Sequence, residues 1–474
     1  MKTRSSLTLA SAVALTLGLS ACGGGSSTSG LPPNPAPPAT INIVGLGDSL
    51  TAGVQSDALL GAPVPVAAGS AWPFLPSTQK NGWWAQMWAQ ANGTTPDKAP
   101  LPLIGPGAPL GQMQIPGTTA GTFVAYPASM CSGAGSSSNV VAFSPTSALQ
   151  TRISSSTVPA DLAVPGAMAH EALFMTQPYQ SGCTIPPSAN PQQTQLNTLA
   201  QLLGSESLNF YPILGNFQGK TQVQAAVSLR PTLATVWFGE NELLKFLFSV
   251  GQVQPTTPQQ FQADILSIIQ QLQQAGAKVA VANLLDPLKA PLFIPNAALP
   301  AVLTSKGAPA PAITAIEAFL QSTYAVGPSG YVTLSGLAKI AGGLAVGSTS
   351  PQLSPGDFVP DAVAAGMEQQ LTALNAAIAA DASATGAALV DINGTFNTLF
   401  QAGGVTIGGK TLTTQFGGGL FSFDGLHPST TGYALVANAF IAAIDAKFGL
   451  SITQINPASV VGSDSYVPPY IPVP

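Results

Sequence analysis

IVGLGDSLTAGVQS, residues 43–56, joins an apolar run to a small polar turn. The apolar run predicts a buried β-strand that ends at Gly47. In an open α/β sheet, ligands bind beyond the carboxyl ends of the strands, and Ser49 stands at that position. Ser49 is therefore a candidate nucleophile. Gly-Asp-Ser-Leu alone arises easily by chance, so the rest of the chain must decide between a nucleophile and an ordinary loop serine.

Further apolar runs predict more strands of the same kind, in residues 163–164, 232–238 (TLATVWF), 278–282 (KVAVA) and 388–392 (ALVDI). Between them lie segments with helical periodicity, in residues 82–92, 261–272, 367–378 and 435–444. Short apolar strands that alternate with amphipathic helices indicate an α/β fold, a three-layer, doubly wound and mostly parallel sheet. The pattern leaves the order of the strands open.

Long irregular stretches separate these elements, in residues 55–80, 92–158 and 289–359. The last contains a predicted helix, AITAIEAFLQ, and VTIGGKTLT (residues 405–413) predicts a hairpin. We therefore expect one α/β domain over residues 41–450, with insertions at about 55–158 and 289–359 and a Pro-rich tail over 451–474. The alternative is a second domain formed by residues 55–158.

The composition is unusually poor in charge. Charged residues make up 7% of the 474, against about 25% in an ordinary soluble domain. The net charge of −5 becomes about −7 without Lys2 and Arg4, because 12 basic residues then face 19 acidic ones. Beyond the first residues there is no cluster of Lys and Arg. This argues against nucleic acid and anionic lipid headgroups as partners.

The first 21 residues have a basic start and a short apolar run, which predicts an export signal. Leu19-Ser20-Ala21-Cys22 resembles the bacterial lipobox, in which the cysteine receives lipid. Residues 22–40, a Gly/Ser segment followed by a Pro-rich one, predict a tether. We therefore expect a lipid-anchored protein of the bacterial cell envelope; the alternative is an ordinary secretory signal with an incidental cysteine.

Two cysteines remain, Cys131 and Cys183, and in an exported chain they most simply form one disulfide. The alternative is two separately buried thiols. The chain has only two histidines and no cluster of residues with metal-ligand spacing, so no metal is expected. The sequence does not indicate an oligomeric state.

A serine nucleophile needs a general base, usually a histidine held by a carboxylate. The two histidines are His170 and His427. His427 lies in FSFDGLHPSTTGY, three residues after Asp424, so one turn can present both side chains. In this arrangement Asp424 binds one ring nitrogen and the other nitrogen faces Ser49.

GDSLTAG (residues 47–53) and DGLHPS (residues 424–429) resemble the GDSL, or SGNH, hydrolase family. That family also uses a glycine and an asparagine from two intermediate blocks. DLAVPGA (residues 161–167) is similar to the glycine block through Gly166, and WFGENEL (residues 237–243) to the Gly-x-Asn-Asp block through Gly239 and Asn241. All four blocks stand in the order of the family.

The resemblance implies that Ser49 is the nucleophile, His427 the base and Asp424 the residue that orients it. It also implies an oxyanion hole made by the N–H groups of Ser49 and Gly166 and the amide of Asn241. The implied activity is hydrolysis of carboxylic esters through an acyl-enzyme, without cofactor. The alternatives are acyl transfer or carbohydrate deacetylation at the same site, and a catalytically silent, tethered binding protein.

Some residues have a structural interpretation beside the functional one. Where the family has an aspartate after the asparagine, this sequence has Glu242, so the supporting role of the side chain at this position is in doubt. Asp48 is expected to brace the nucleophile loop, and His170 to be structural or to line the rim of the site. The tryptophans Trp83, Trp84 and Trp88 favour helix packing over a substrate platform. LLKFLFSV after Asn241 favours buried core over an acyl pocket.

Overall fold

The computed structural model describes residues 41–56, 59–62, 77–104, 152–174, 214–217 and 219–468. It also describes the backbone of four two-residue strands, β2 (Val64–Pro65), β3 (Phe74–Leu75), β4 (Gln112–Met113) and β5 (Thr122–Phe123), paired as β2–β3 and β4–β5. Cys22, Cys131 and Cys183 lie outside the described residues. The lipid anchor and the disulfide therefore stay predictions.

The central sheet has the order β1–β6–β7–β11, and each neighbouring pair is parallel. Its strands are β1 (Ile43–Gly47), β6 (Leu233–Trp237), β7 (Lys278–Ala282) and β11 (Ala388–Val390). Residues 160–164 run parallel along the other edge of β1, with the Leu162 N–H donating to the Gly45 carbonyl at 2.9 Å. The parallel sheet that the sequence predicts is confirmed.

A helix or a 3₁₀ turn follows each of these strands, and a helix also precedes β6, β7 and β11. Up to residue 274 the described helices are α1 (Ser49–Ala52), α2 (Thr78–Asn81), α3 (Trp83–Ala91), α4 (Ala169–Phe174), α5 (Gln222–Ser228), α6 (Glu240–Phe248) and α7 (Pro258–Gln274). After residue 274 they are α8 (Leu299–Ser305), α9 (Ala310–Tyr324), α10 (Leu334–Ala345), α11 (Asp361–Thr385), α12 (Ile392–Ala402), α13 (Thr430–Phe448) and α14 (Pro457–Val461). Short 3₁₀ turns occupy Pro96–Lys98, Pro287–Lys289 and Asn296–Ala298.

The sheet is covered on both faces, which makes three layers. Every residue of β1 and β6 is buried, as expected for strands that pack against helices on each side. One helical group contains α3 and α13, which pack on each other, and α13 contacts β7 and β11. The other group contains α5, α7 and α11, which contact β1, β7 and β11.

The predicted packing role of the tryptophans is confirmed for Trp83 and Trp84, which are both completely buried. Trp83 stacks on Phe440 of α13 with ring centroids 4.0 Å apart, and its edge meets Trp237 at the end of β6. These large rings fix α3 against α13 and the sheet. Among the described helices, none has the length and apolar character needed to cross a membrane.

The description of residues 289–359 as mainly irregular is wrong. This segment contains α8, α9, α10 and an antiparallel sheet of β8 (Phe293–Pro295), β9 (Tyr331–Thr333) and β10 (Phe358–Val359), in the order β10–β9–β8. Its helices and sheet enclose a second small core, which includes Leu299, Ile316, Leu320 and Val332. Strands of two or three residues are too short to show an alternating pattern, so the sequence did not reveal them.

The predicted hairpin is confirmed as β12 (Val405–Ile407) paired with β13 (Lys410–Leu412). The segment after residue 450 is more than a Pro-rich tail, because α14 and the residues after it pack onto the domain. Asp464 accepts the N–H of Thr431 at 2.6 Å, and Tyr466 is 1% exposed. The Tyr466 ring meets the edge of Phe423 at 5.1 Å, beside the Asp424 loop.

Candidate active site

Ser49 lies directly after β1, as the first residue of α1. Asp48 caps this short helix, since its Oδ1 accepts the Leu50 N–H at 3.0 Å. The chain therefore turns from strand into helix within a single residue. This turn presents the Ser49 side chain at the carboxyl end of the central sheet, where the sequence places it.

Asp424 and His427 lie on the loop that leads into α13. Asp424 Oδ1 accepts the N–H groups of Leu426 at 2.7 Å and of His427 at 2.8 Å, which closes a tight turn. Ser429 then caps α13, and its hydroxyl donates to the Gly419 carbonyl at 2.7 Å. Both Asp424 and His427 are 6% exposed. The loop is thus held by its own polar groups, and the ring of His427 has little freedom.

The structure brings Ser49, His427 and Asp424 into one line of hydrogen bonds. His427 Nδ1 lies 2.8 Å from Asp424 Oδ2, and His427 Nε2 lies 2.9 Å from Ser49 Oγ. A carboxylate only accepts hydrogen bonds, so the ring carries its hydrogen on Nδ1. The lone pair of Nε2 therefore faces the Ser49 hydroxyl, which is the tautomer that a general base needs.

Hydrogen bonds also join the loop that follows Ser49 to the segments around His427 and hold them in position. The Ser56 N–H donates to Ser422 Oγ at 2.8 Å, and the Phe423 N–H donates in return to Ser56 Oγ at 3.0 Å. The Tyr433 hydroxyl on α13 donates to the Val54 carbonyl at 2.7 Å. The loop after Ser49 is therefore bonded to the chain both before and after His427.

Gly166 lies in the loop that follows the extended segment 160–164. It has a φ of 79°, a conformation that residues with a side chain rarely adopt. Within the described ranges, the N–H groups of Ser49 and Gly166 have no hydrogen-bond acceptor. Glu242 Oε1 accepts the Ala169 N–H at 2.9 Å, so the longer carboxylate still holds this loop. Glu242 therefore has the supporting role that the sequence left in doubt.

Asn241 follows Gly239 at the start of α6. Gly239 has a φ of 127°, and a Cβ there would meet the Leu284 side chain at 2.7 Å, so only glycine fits. The Asn241 amide donates to Asp48 Oδ2 and to the Ala167 carbonyl, both at 3.1 Å. Both amide hydrogens thus have acceptors, and a substrate oxygen would have to replace one of them. Asp48 braces both the Ser49 turn and Asn241.

A largely apolar pocket opens beside Ser49 and His427, with about 460 Å³ of space including its mouth. Its walls come from five regions of the chain, and Leu244 of the LLKFLFSV segment is one of the lining residues. The other lining residues are Leu50, Glu240, Leu285, Asp286, Pro287, Ala290, Phe400, Phe421 and Leu426. The expectation of core for LLKFLFSV holds for the fully buried Leu243 and Leu247 but not for Leu244.

Two acidic side chains beside this site are affected by burial. Burial raises the pKa of Glu240 well above its usual value of 4.5, and the neighbouring Asp48 carboxylate raises it further. Burial also raises the pKa of Glu242 to about 7, although the Ala169 N–H and Lys245 act in the opposite direction. This direction favours the protonated form of Glu240, whose carboxyl can donate a hydrogen bond.

His170 lies away from Ser49 and pairs with a different carboxylate. Its Nδ1 lies 3.2 Å from Asp264 Oδ2, and its ring packs on Phe174. The His170 side chain is 51% exposed, whereas Asp264 is almost completely buried. This position agrees with the structural role expected for His170. Within the described ranges, no group of three or more His, Cys, Asp or Glu residues could hold a metal ion.

Glu240 and Asp286 also line the pocket, although the sequence did not predict this position for either residue. Glu240 occupies the variable position of the Gly-x-Asn block. A charged residue between the two functional positions is the sequence feature that could have identified it. Asp286 follows β7, at the same edge of the sheet as Ser49. Polar residues directly after a parallel strand are the feature that could have identified it.

The comparison with known families agrees with the four sequence blocks. The family model described as GDSL-like Lipase/Acylhydrolase matches residues 43–440, most of the chain and all of the site. No curated protein matches the chain at a significant level.

Proposed function

Because the chain belongs to the family of GDSL-like lipases and acylhydrolases, which hydrolyse esters, we propose that it is a serine esterase or lipase that acts through an acyl-enzyme. The observation that carries the proposal is the continuous line from Asp424 through His427 to Ser49, with hydrogen bonds of 2.8 and 2.9 Å. This line opens into an apolar pocket, which suits the hydrocarbon part of an ester.

These positions support the following steps. Ser49 Oγ attacks the ester carbonyl carbon while its proton moves to His427 Nε2, and the carbonyl oxygen takes the negative charge. When the carbonyl re-forms, the bond to the alcohol oxygen breaks and His427 returns the proton to the leaving alcohol. Water then attacks the acyl-serine with the same base and releases the acid. Asp424 holds the ring and stabilises the positive charge that His427 carries in between.

Donors for the developing oxyanion come from the first and second blocks. The N–H groups of Ser49 and Gly166 have no acceptor within the described residues and can serve the substrate oxygen. We propose that Asn241 joins them by giving up its bond to the Ala167 carbonyl, while Asp48 keeps its amide in place. One such donor changes kcat by about 10²–10³-fold.

Hydrolysis of p-nitrophenyl esters of increasing chain length, with acetylated sugars and an added alcohol acceptor in parallel, tests this function. We expect turnover of apolar esters that disappears in Ser49→Ala. Preferential product formation with the alcohol acceptor would identify an acyltransferase, and a preference for acetylated sugars would identify a deacetylase. Absence of turnover on every ester would support the silent binding protein instead.

We also propose that the protein is exported and anchored through lipid on Cys22. The support is the sequence Leu19-Ser20-Ala21-Cys22 and the tether after it. Several acyl chains give stable anchoring, since each buried methylene contributes about 0.8 kcal/mol. Cys22→Ser should release the protein from membranes. A variant that stays membrane-bound and still incorporates labelled palmitate would contradict this assignment.

A further inference from the structure

Glu240 is a polar residue in an otherwise apolar part of the pocket. It is 5% exposed, yet it lines the same pocket as Ser49 and His427. Its Oε1 accepts the Leu285 N–H at 2.7 Å, which fixes the side chain. Among the described residues, no group donates to its second oxygen. The mechanism described above makes no use of this side chain.

The surroundings of Glu240 argue against an ionised, ion-paired carboxylate. The charged groups nearest in the site are the carboxyls of Asp48, Glu242 and Asp286, and each of them disfavours a further negative charge. Asp286, in contrast, has partners of its own: it accepts the Leu288 N–H at 3.1 Å and lies 3.5 Å from Lys289 Nζ. Of the two acidic side chains in the described pocket wall, Glu240 is thus the one with an oxygen that no described group donates to or pairs with.

We propose, on the basis of the proposed ester hydrolysis, that Glu240 is a specificity-determining residue that hydrogen-bonds an uncharged hydroxyl group of the substrate. A neutral carboxylic acid offers one donor and one acceptor, which matches a hydroxyl group in both directions. Burial keeps the pKa of Glu240 high, so no charge has to be formed or desolvated when such a substrate enters. The substrate class is thus an ester with a largely hydrocarbon body and a hydroxyl near the scissile bond.

A cationic substrate group fits these observations less well. An ammonium ion would require Glu240 to lose its proton in a site where burial opposes that loss. Because Oε1 is bonded to the Leu285 N–H, a wholly apolar ester would leave the second oxygen of Glu240 without a partner in a desolvated pocket, which is unfavourable. A site built for a hydroxyl therefore discriminates against the analogue that lacks it.

The test compares kcat/KM for matched ester pairs. One pair varies the acyl group (p-nitrophenyl 3-hydroxybutanoate and p-nitrophenyl butanoate), and one varies the alcohol (2-hydroxyethyl butanoate and propyl butanoate). A third pair, choline butanoate and its neutral 3,3-dimethylbutyl isostere, tests for a cation. In the wild-type protein we expect a preference of about tenfold for the hydroxyl ester in at least one of the first two pairs, and none for choline.

Two variants and a control assign the preference to Glu240. Glu240→Leu should reduce the hydroxyl-to-apolar ratio to about one. Glu240→Gln keeps an oxygen for Leu285 and a neutral donor for the substrate, so it should keep most of the ratio. Glu368→Gln, the same change at an exposed position of α11, should alter neither ester. If Glu240 had only a structural role, its substitution would change both members of a pair alike.

Several results would overturn the proposal: a wild-type ratio near one in both hydroxyl pairs, a preference for choline, or loss of the ratio in Glu240→Gln. The first two need only the wild-type protein, so they stand even if Glu240→Leu fails to fold. Failure of the proposed function itself has a different signature. In that case the wild-type protein hydrolyses none of the esters, or the hydrolysis persists in Ser49→Ala.

Discussion

Replacing Glu242 by Gln should change how stability depends on pH. The Glu242 carboxyl is 1% exposed, and its Oε1 accepts the Ala169 N–H at 2.9 Å. The nearest charges are Lys245, itself 4.0 Å from Glu171, and the Asp48 carboxylate. Glutamine is nearly the same size and keeps an oxygen for Ala169, so the substitution removes the titration and leaves the contact.

The magnitude follows from the pKa of Glu242, which burial raises from 4.5 to about 7. Between these two values the folded protein binds more protons at Glu242 than the unfolded chain does. The contribution of Glu242 to the free energy of unfolding therefore falls as pH rises from about 4.5 to about 7 and is constant above that range. The difference between the two pKa values corresponds to about 3 kcal/mol.

Urea unfolding, followed by the fluorescence of the buried Trp83 and Trp84, measures this effect. Relative to the wild type, Glu242→Gln should gain about 3 kcal/mol between about pH 4.5 and about pH 8. Glu368→Gln serves as the exposed control and should show no such gain. If the wild type and Glu242→Gln keep a constant difference in stability across this range, the carboxyl is not held neutral by burial and the reasoning fails.

The remaining predictions concern the line of residues at Ser49. Asp424→Asn should lower kcat by about 10⁴-fold with the fold retained, because an amide can donate to His427 Nδ1 and place the ring in the wrong tautomer. Steady-state kinetics measures the loss and circular dichroism checks the fold. A loss below tenfold would contradict this prediction. Asn241→Ala should slow turnover by about 10²–10³-fold; an unchanged kcat would remove it from the oxyanion hole. His170→Ala should stay within about twofold of wild-type kcat/KM, since His170 pairs with Asp264; a loss comparable to that of His427→Ala would contradict this.

The sequence predicted the scaffold well because the scaffold rests on strong local patterns. TLATVWF and KVAVA are short, apolar and rich in β-branched residues, and they form β6 and β7. Four family blocks each stand at the carboxyl edge of the sheet or on the last loop. Since parallel strands end at one edge, residues more than 370 positions apart, such as Ser49 and His427, meet there.

The sequence could not predict features that depend on tertiary contacts alone. The bonds between Ser56 and the 422–423 loop involve ordinary serines with no pattern around them. Glu240 looks like a solvated charge at a helix start, and only the fold shows that it is buried in the pocket. The small sheet of β8, β9 and β10 consists of strands too short for periodicity. The hydrogen bond from the Asn241 amide to Asp48 likewise depends on how the fold places the starts of α1 and α6.

Labelling with a fluorophosphonate probe tests the central claim, that Ser49 is a nucleophile activated by His427 and Asp424. We expect stoichiometric labelling that mass spectrometry places on Ser49, loss of labelling in Ser49→Ala, and labelling slowed by orders of magnitude in His427→Ala. A matched Ser56→Ala variant, which changes a serine on the neighbouring loop, should still be labelled. Labelling at another serine, or a folded wild-type protein that the probe does not label, would contradict the account.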